Sequence, residues 1–306
     1  MFDYEYWGNG TFSADLNMAL EEFFLKRASL GKAIARFFSF PRDCVVLGYA
    51  QANDPIKKLD NSFDLTRRIT GGSHVQTGSN IIAYSFAVPR DGSFRHYEDM
   101  RAYYAALVAE GLGDIGIKNI VVDNKASTIN VDGKIIASHA IIWGVESALL
   151  HGLIILDSYD VDTLANRIFL GKRKIGNNIY SEYAALKNLP AVSALLNNVA
   201  ANSSESVRTD ALKGIIAQAV LRRVTKNHKK MAVDERTSAE SLNLIKKKFG
   251  REEWLKKREP PFTKTEIEAI PDSWESSLDG ELKRNLGYCL FLQVKDKDFK
   301  KMCAGD

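Results

Sequence analysis

Arg67-Arg68-Ile69-Thr70-Gly71-Gly72-Ser73-His74-Val75 leads into an extended apolar stretch, Ile81-Ile82-Ala83-Tyr84-Ser85-Phe86-Ala87-Val88. Paired arginines offer planar donor forks that match a phosphate or a carboxylate. Two consecutive glycines let the backbone approach a ligand closely or take positive φ. Alone, the pattern equally describes a loop between strands with solvated arginines. Its meaning depends on the segments around it.

Upstream, Ser13 to Leu25 carries Leu16, Ala19, Leu20, Phe23 and Phe24 at helical spacing, with Ser13 placed as an N-cap. Ala35 to Phe40 and Cys44 to Tyr49 read as strands split by the turn Pro41-Arg42-Asp43. Downstream, Ile81 to Val88 reads as a strand and Tyr97 to Glu110 as a helix. Ser127 to Val131 and Lys134 to Trp143 form a hairpin joined at Asp132-Gly133, a strong two-residue turn signal. Ala148 to Leu156 supplies a further strand. Strands and hairpins mixed with helices, without strict alternation, predict an α+β (mixed α/β) domain with a central sheet.

Past Ser158 the texture becomes helical, over Val161 to Ile168, Val192 to Leu196, Ser206 to Val224 and Ser238 to Phe249, with a loop at Asn197 to Ser204. Glu259-Pro260-Pro261-Phe262 breaks any helix and marks a boundary. It divides a domain over 1–258 from a small C-terminal extension over 259–306, where Tyr288 to Val294 reads as a strand.

The 306 residues are 45% hydrophobic, enough for a sizeable core, and 42 basic against 38 acidic residues leave a formal charge of +4. That excess is too small to argue for nucleic acid. No apolar run reaches bilayer-spanning length, and Met1 to Glu5 lacks the features of a signal peptide. Cys44, Cys289 and Cys303 match no metal spacing. These points predict a cytoplasmic protein bound to neither membrane nor nucleic acid. No residue pattern names a metal ligand.

Taken in order, the segments resemble the biotin/lipoate A/B protein ligase family, which includes lipoate–protein ligases and octanoyltransferases. The resemblance rests on Asn17-Met18-Ala19-Leu20-Glu21-Glu22, Leu47-Gly48-Tyr49-Ala50-Gln51, Arg67 to Gly72, Tyr84-Ser85, Asp132-Gly133-Lys134, and His151-Gly152-Leu153-Ile154-Ile155-Leu156-Asp157-Ser158-Tyr159-Asp160. The arginine pair and the opening helix are closer to the lipoate branch than to the biotin branch.

The resemblance implies a class II synthetase-like, biotinyl-lipoyl ligase-like fold with a mixed, mostly antiparallel sheet. It implies transfer of a lipoyl or octanoyl group to the ε-amine of a lysine on an acidic lipoyl carrier domain, such as a glycine-cleavage H-like protein or an E2 lipoyl domain. A lipoate–protein ligase would work through an acyl-adenylate with ATP and Mg²⁺, and an octanoyltransferase would need no nucleotide. An accessory subunit is left open. Lys134 takes the catalytic place, and Arg67, Arg68, Gly71, Gly72, Ser73, His74, Asn80, Ser138, His151 and Gly152 the substrate-binding places.

Several positions depart from the family pattern. Ser73 replaces a glycine, Thr77-Gly78 replaces a His-Asp pair, and Ser127-Thr128 replaces the Asn-Asp before the hairpin. Aligning Ile136-Ala137-Ser138 without a gap puts Ile135 in the lysine's place. Shortening the turn at Gly133 by one residue puts Lys134 there instead. The choice matters because a one-residue slip turns a side chain to the opposite face of a sheet. A non-catalytic member that binds an acyl group or a lipoyl domain is the alternative these departures raise.

Overall fold

The central strands of this chain are rich in β-branched and aromatic residues, as in Ile81–Pro89 and Lys134–Trp143, and the pairing of the strands sets its architecture. The computed structural model describes residues 2–49, 63–72, 74–157 and 205–257, with short pieces between 162 and 192. The strands are β1 (Tyr4–Thr11), β2 (Ala33–Ser39), β3 (Cys44–Leu47), β4 (Asp64–Arg67), β5 (Val75–Thr77), β6 (Ile81–Pro89), β7 (Ile120–Asp123), β8 (Thr128–Val131), β9 (Lys134–Trp143), β10 (Ser147–Ile155), β11 (Lys172–Ile175), β12 (Asn178–Ser181) and β13 (His228–Met231). The helices are α1 (Ala14–Ser29), α2 (Tyr97–Asp114), α3 (Glu205–Val224), α4 (Glu235–Leu244) and α5 (Glu252–Lys257). A π-helical turn, Ile245–Phe249, continues α4.

Eight strands form one sheet in the order β13-β1-β2-β6-β10-β9-β8-β7. The β13–β1 and β1–β2 pairs are parallel, and every pair from β2 to β7 is antiparallel. The sheet is therefore mixed and mostly antiparallel, as the sequence implied. A three-stranded sheet, β4-β3-β5, carries the arginine–glycine segment, and β11 pairs with β12.

The two faces of the large sheet bury separate cores. One contains Tyr84, Phe86, Tyr104, Val108, Leu150, Ile154 and Val220 beneath α2 and α3. These helices approach so closely that a Cβ on Gly111 would meet the Val220 backbone at 2.8 Å. The other core contains Leu20, Phe24, Ile34, Ala83, Leu149, Phe249 and Trp254 on the α1 side. Because α1 is covered by the sheet and also by α4 and the π-turn, it buries Asn17, Glu21 and Glu22 as well as its apolar stripe.

Several elements differ from their sequence reading. Ser13 precedes α1, but its side chain makes no capping bond; its carbonyl accepts from Asn17 N instead. The Arg67 motif begins on strand β4 and not in a loop. Strands β1, β7 and β13 lack a clean alternating pattern and surface only through pairing. The helices expected at 161–168 and 192–196, the loop at 197–204 and the extension at 259–306 lie essentially outside the described residues.

Candidate functional site

Arg67 and Arg68 are neighbours on the chain, and both are buried. Alternation along β4 sends their guanidinium groups to different partners. Arg67 donates to the carbonyls of Gly48 at 2.7 Å, Tyr49 at 3.2 Å, Trp254 at 3.1 Å and Leu255 at 2.6 Å. Trp254 answers by donating its indole N–H to the Arg67 carbonyl at 3.1 Å. The fork expected to meet an anion thus ties β4 to the Gly48 turn and to α5.

Arg68 holds the glycine segment. Its Nη2 donates to the Gly71 carbonyl at 2.6 Å, its Nη1 to the Val46 carbonyl at 3.2 Å, and its Nε to Thr70 Oγ1 at 3.0 Å. Gly71 and Gly72 are exposed, with Gly72 at φ 90°. A Cβ on Gly48 would sit 1.7 Å from the Gly72 carbonyl oxygen, so the two backbone turns touch where only glycine fits.

From Thr70 a buried polar chain crosses to the large sheet. Thr70 Oγ1 lies 2.6 Å from His151 Nε2 on β10, and His151 Nδ1 lies 3.1 Å from Glu21 Oε2 on α1. Glu21 Oε1 accepts from Ser85 Oγ at 2.9 Å and from Arg36 Nη1 at 2.8 Å. Arg36 Nη2 donates to Asn17 Oδ1 at 2.6 Å. Burial lowers the His151 pKa, while the Glu21 hydrogen bond opposes that shift. Burial pushes the Glu21 carboxyl up, but His151 and Arg36 outweigh it and leave the group below its ordinary range.

Sequence reading missed Glu21, Arg36 and Asn17 as part of this chain. The available signal was Arg36, a lone charge within the apolar run Ala33 to Phe40. A buried charge needs a partner, and Glu21 supplies it.

The β8–β9 hairpin decides between Lys134 and Ile135. Asp132 (φ 49°) and Gly133 (φ 76°) form a tight turn with Val131 opposite Lys134 and Asn130 opposite Ile135. The register then slips, because Ile129 pairs with Ala137 and Thr128 with Ser138. The extra residue, Ile136, is a β-bulge that resets the alternation of faces. Ser138 pairs with Leu153, and Leu153 with Ala83, so Ser138 belongs to the face of His151 and Ser85. Thr128 and Asn130 follow it there, and so does Ile135. Lys134 belongs with Val131 and Ile129 on the α2 face and is exposed. The bulge does what the gapless alignment requires. The register thus puts Ile135 on the face of His151 and leaves Lys134, the residue expected in the catalytic place, exposed on the α2 face.

The remaining expected residues divide. His74, at the entry to β5, is buried, and Asn80 is half-buried, with its carbonyl accepting from Leu156 N at 2.9 Å. Gly152 lies beside His151, and a Cβ there would collide with Tyr84 Oη at 2.3 Å and the Ser138 carbonyl at 2.6 Å. Ser73 is outside the described residues. Cys44 is buried in β3, where desolvation pushes its thiol pKa well up, as suits an inert cysteine.

Thr128, Asn130, Ile135 and Ser138 make an uncharged hairpin surface on the sheet face that carries His151. Among the described residues no group of three or more His, Cys, Asp or Glu side chains could hold a metal ion. Mg²⁺ at nucleotide sites is commonly held by one or two carboxylates together with substrate phosphates, and Thr128, Asn130, Ile135 and Ser138 themselves offer no carboxylate.

The model of the lipoyl protein ligase A/B catalytic domain matches residues 13–203, more than half of the chain. The chain belongs to the lipoyl protein ligase A/B family. Among solved structures it is similar to the bi-partite lipoate protein ligase of Thermoplasma acidophilum, described with its E2 lipoyl domain: 19% identity, TM-score 0.65, covering 83% of this chain and 96% of that one. It is also similar to lipoate-protein ligase A bound with ATP, at 19% identity and TM-score 0.60 over 83% and 97%. LipL1 of P. falciparum in complex with lipoate matches at 13% identity and TM-score 0.61 over 85% and 76%. At these identities the structural likeness establishes the lipoate/biotin ligase type of fold. No functionally curated sequence matches the chain. In this family member no helix among the described residues is long and apolar enough to cross a membrane.

Proposed function

We propose that this chain passes a lipoyl-type acyl group, lipoyl or octanoyl, to the ε-amine of a lysine on a lipoyl carrier domain. The observation that carries this reading is the buried chain Arg68–Thr70–His151–Glu21, which holds the family's glycine segment against β10. Fixed backbone at that point provides a rigid wall for an acyl chain and preorganised N–H groups for a carbonyl oxygen. Arg68, Gly71, Gly72, Ser73, His74, Asn80, Ser138, His151 and Gly152 form the substrate-binding set of this proposal. Arg67 acts as a positioning residue through Trp254 and the Gly48 turn.

Neighbours solved with lipoate and with ATP support the ligase form of the reaction. The uncharged hairpin face favours the form in which the acyl group arrives already activated, since no cationic side chain on that face could meet a nucleotide phosphate. The same face supports a second reading, binding of an acyl group or lipoyl domain without transfer. An acidic carrier domain suits the chain's basic surface, including exposed Lys229 and Lys230 on β13.

The test incubates pure protein with a lipoyl carrier domain and either lipoate plus ATP-Mg²⁺ or an octanoylated carrier, then reads the acceptor's mass. A lipoyl adduct that requires ATP establishes the ligase form. An octanoyl adduct without ATP establishes the transferase form. Carrier binding with no adduct establishes the second reading, and neither binding nor adduct overturns both.

A further inference from the structure

Hydrogen-bond accounting assigns a direction to the buried chain. An ionised carboxylate only accepts hydrogen bonds. Glu21 faces three groups: Arg36 Nη1 and Ser85 Oγ at Oε1, and His151 Nδ1 at Oε2. All three must donate, which puts a proton on His151 Nδ1; burial favours the neutral ring, so Nε2 presents a lone pair. Thr70 then has to donate its hydroxyl proton to Nε2 while its oxygen receives Arg68 Nε–H. Each atom has one role, and reversing any of them leaves a buried group unpaired.

We propose that Glu21 is a positioning residue of the acyl site: it sets the tautomer of His151 and, through Thr70 and Arg68, holds Gly71 and Gly72 in the conformation that receives the acyl group. The second half of this proposal rests on the lipoyl-type reading above; the tautomer does not. Arg36 is the counter-charge that keeps Glu21 ionised while buried, and Asn17 fixes Arg36.

Glu21→Gln changes the donor and acceptor pattern at His151. One of the two oxygens becomes an N–H₂ donor, while Arg36 still demands the remaining acceptor. The amide N–H₂ then faces His151 Nδ1, which can meet it only as an acceptor, and the imidazole proton moves to Nε2. Thr70 Oγ1 would face two donors, Arg68 Nε–H and His151 Nε2–H, with its own proton unplaced.

The experiment is ¹⁵N NMR of the His151 imidazole in the full chain, joined to amide hydrogen exchange at residues 68–72 and calorimetric titration with lipoate. In the wild-type protein the expected result is a protonated Nδ1 and a pyridine-like Nε2 at neutral pH. Glu21→Gln should transfer the proton to Nε2. Thr70→Val should speed exchange at Gly71 and Gly72 and weaken lipoate binding, each by about tenfold, the size of one lost buried hydrogen bond. Thr70→Ser, which restores the hydroxyl, should bring both back to within about twofold. A wild-type His151 protonated on Nε2 overturns the assignment. So does Thr70→Val with unchanged exchange, or a Thr70→Ser variant that rescues no better than valine. If the wild-type protein fails to bind lipoate, the acyl reading falls, and tautomer and exchange decide the relay without it.

Discussion

Two histidines on adjacent strands show how differently the two faces of the sheet treat a buried imidazole. His151 on β10 faces α1 and has a partner for each ring nitrogen, Thr70 and Glu21. His139 on β9 pairs across from Gly152, one residue along, but faces α2, and among the described residues neither of its nitrogens has a partner. Tyr84 Oη, which stands over Gly152 on the same face, and Arg101 Nε also lack partners. Burial depresses both histidines. On the α1 face the imidazole is one link in a fixed chain that reaches the glycine segment. On the α2 face it is a polar group enclosed at a cost.

The largest expected effect comes from cutting the chain at its charge. Glu21→Ala leaves Arg36 buried and unpaired, and should destabilise the protein by about 3–5 kcal/mol in urea unfolding. A loss below about 1 kcal/mol would show that the pair is solvated in solution.

Next is the acid response of His139. Burial, with the Arg101 charge adding to it, lowers its pKa from 6.5 to about 4. Unfolded chains bind that proton at higher pH than the folded protein does. The stability associated with a neutral His139 is therefore complete above pH 6.5 and falls as pH drops toward 4, by about 3 kcal/mol. His139→Leu should flatten this part of a Tm-against-pH curve. An unchanged slope would place the acid sensitivity elsewhere, His151 being the first alternative.

Thr70→Val should cost about 1–3 kcal/mol, because the buried hydrogen bonds of Thr70 Oγ1 with Arg68 Nε and His151 Nε2 are both lost. Equilibrium unfolding of the variant checks it. Smallest is Lys134→Ala, which alters an exposed residue on the face away from His151. Its stability should stay within about 0.5 kcal/mol, and whatever acyl transfer the protein performs should survive. Loss of transfer would return Lys134 to the site and show that the hairpin changes register with substrate bound.

Much of the fold was legible because its signals are local. The Asp132-Gly133 turn, the apolar run of β6 and the spacing of Leu20 and Phe24 each report a periodicity or a backbone preference that neighbouring residues alone impose. The π-turn at Ile245–Phe249 was not legible, because it appears only where the helix packs around Lys248, buried against Glu22 and over the Trp254 ring. Strands β1 and β13 were equally hidden, since parallel pairing between segments more than two hundred residues apart leaves no mark in either one.

The candidate site divides in the same way. Sequence by itself determined the family, the order of its motifs, and which residue types stand at the arginines, the glycines and His151-Gly152. Tertiary structure alone decided what those side chains touch. It turned Arg67 inward to carbonyls of α5, made Arg68 the clamp of the glycine segment, linked His151 to a glutamate 130 positions away, and set Ile135 rather than Lys134 on the site face. The physical reason is that a side chain's type is a local property, whereas its direction depends on strand register. A single bulged residue, Ile136, was enough to reverse it.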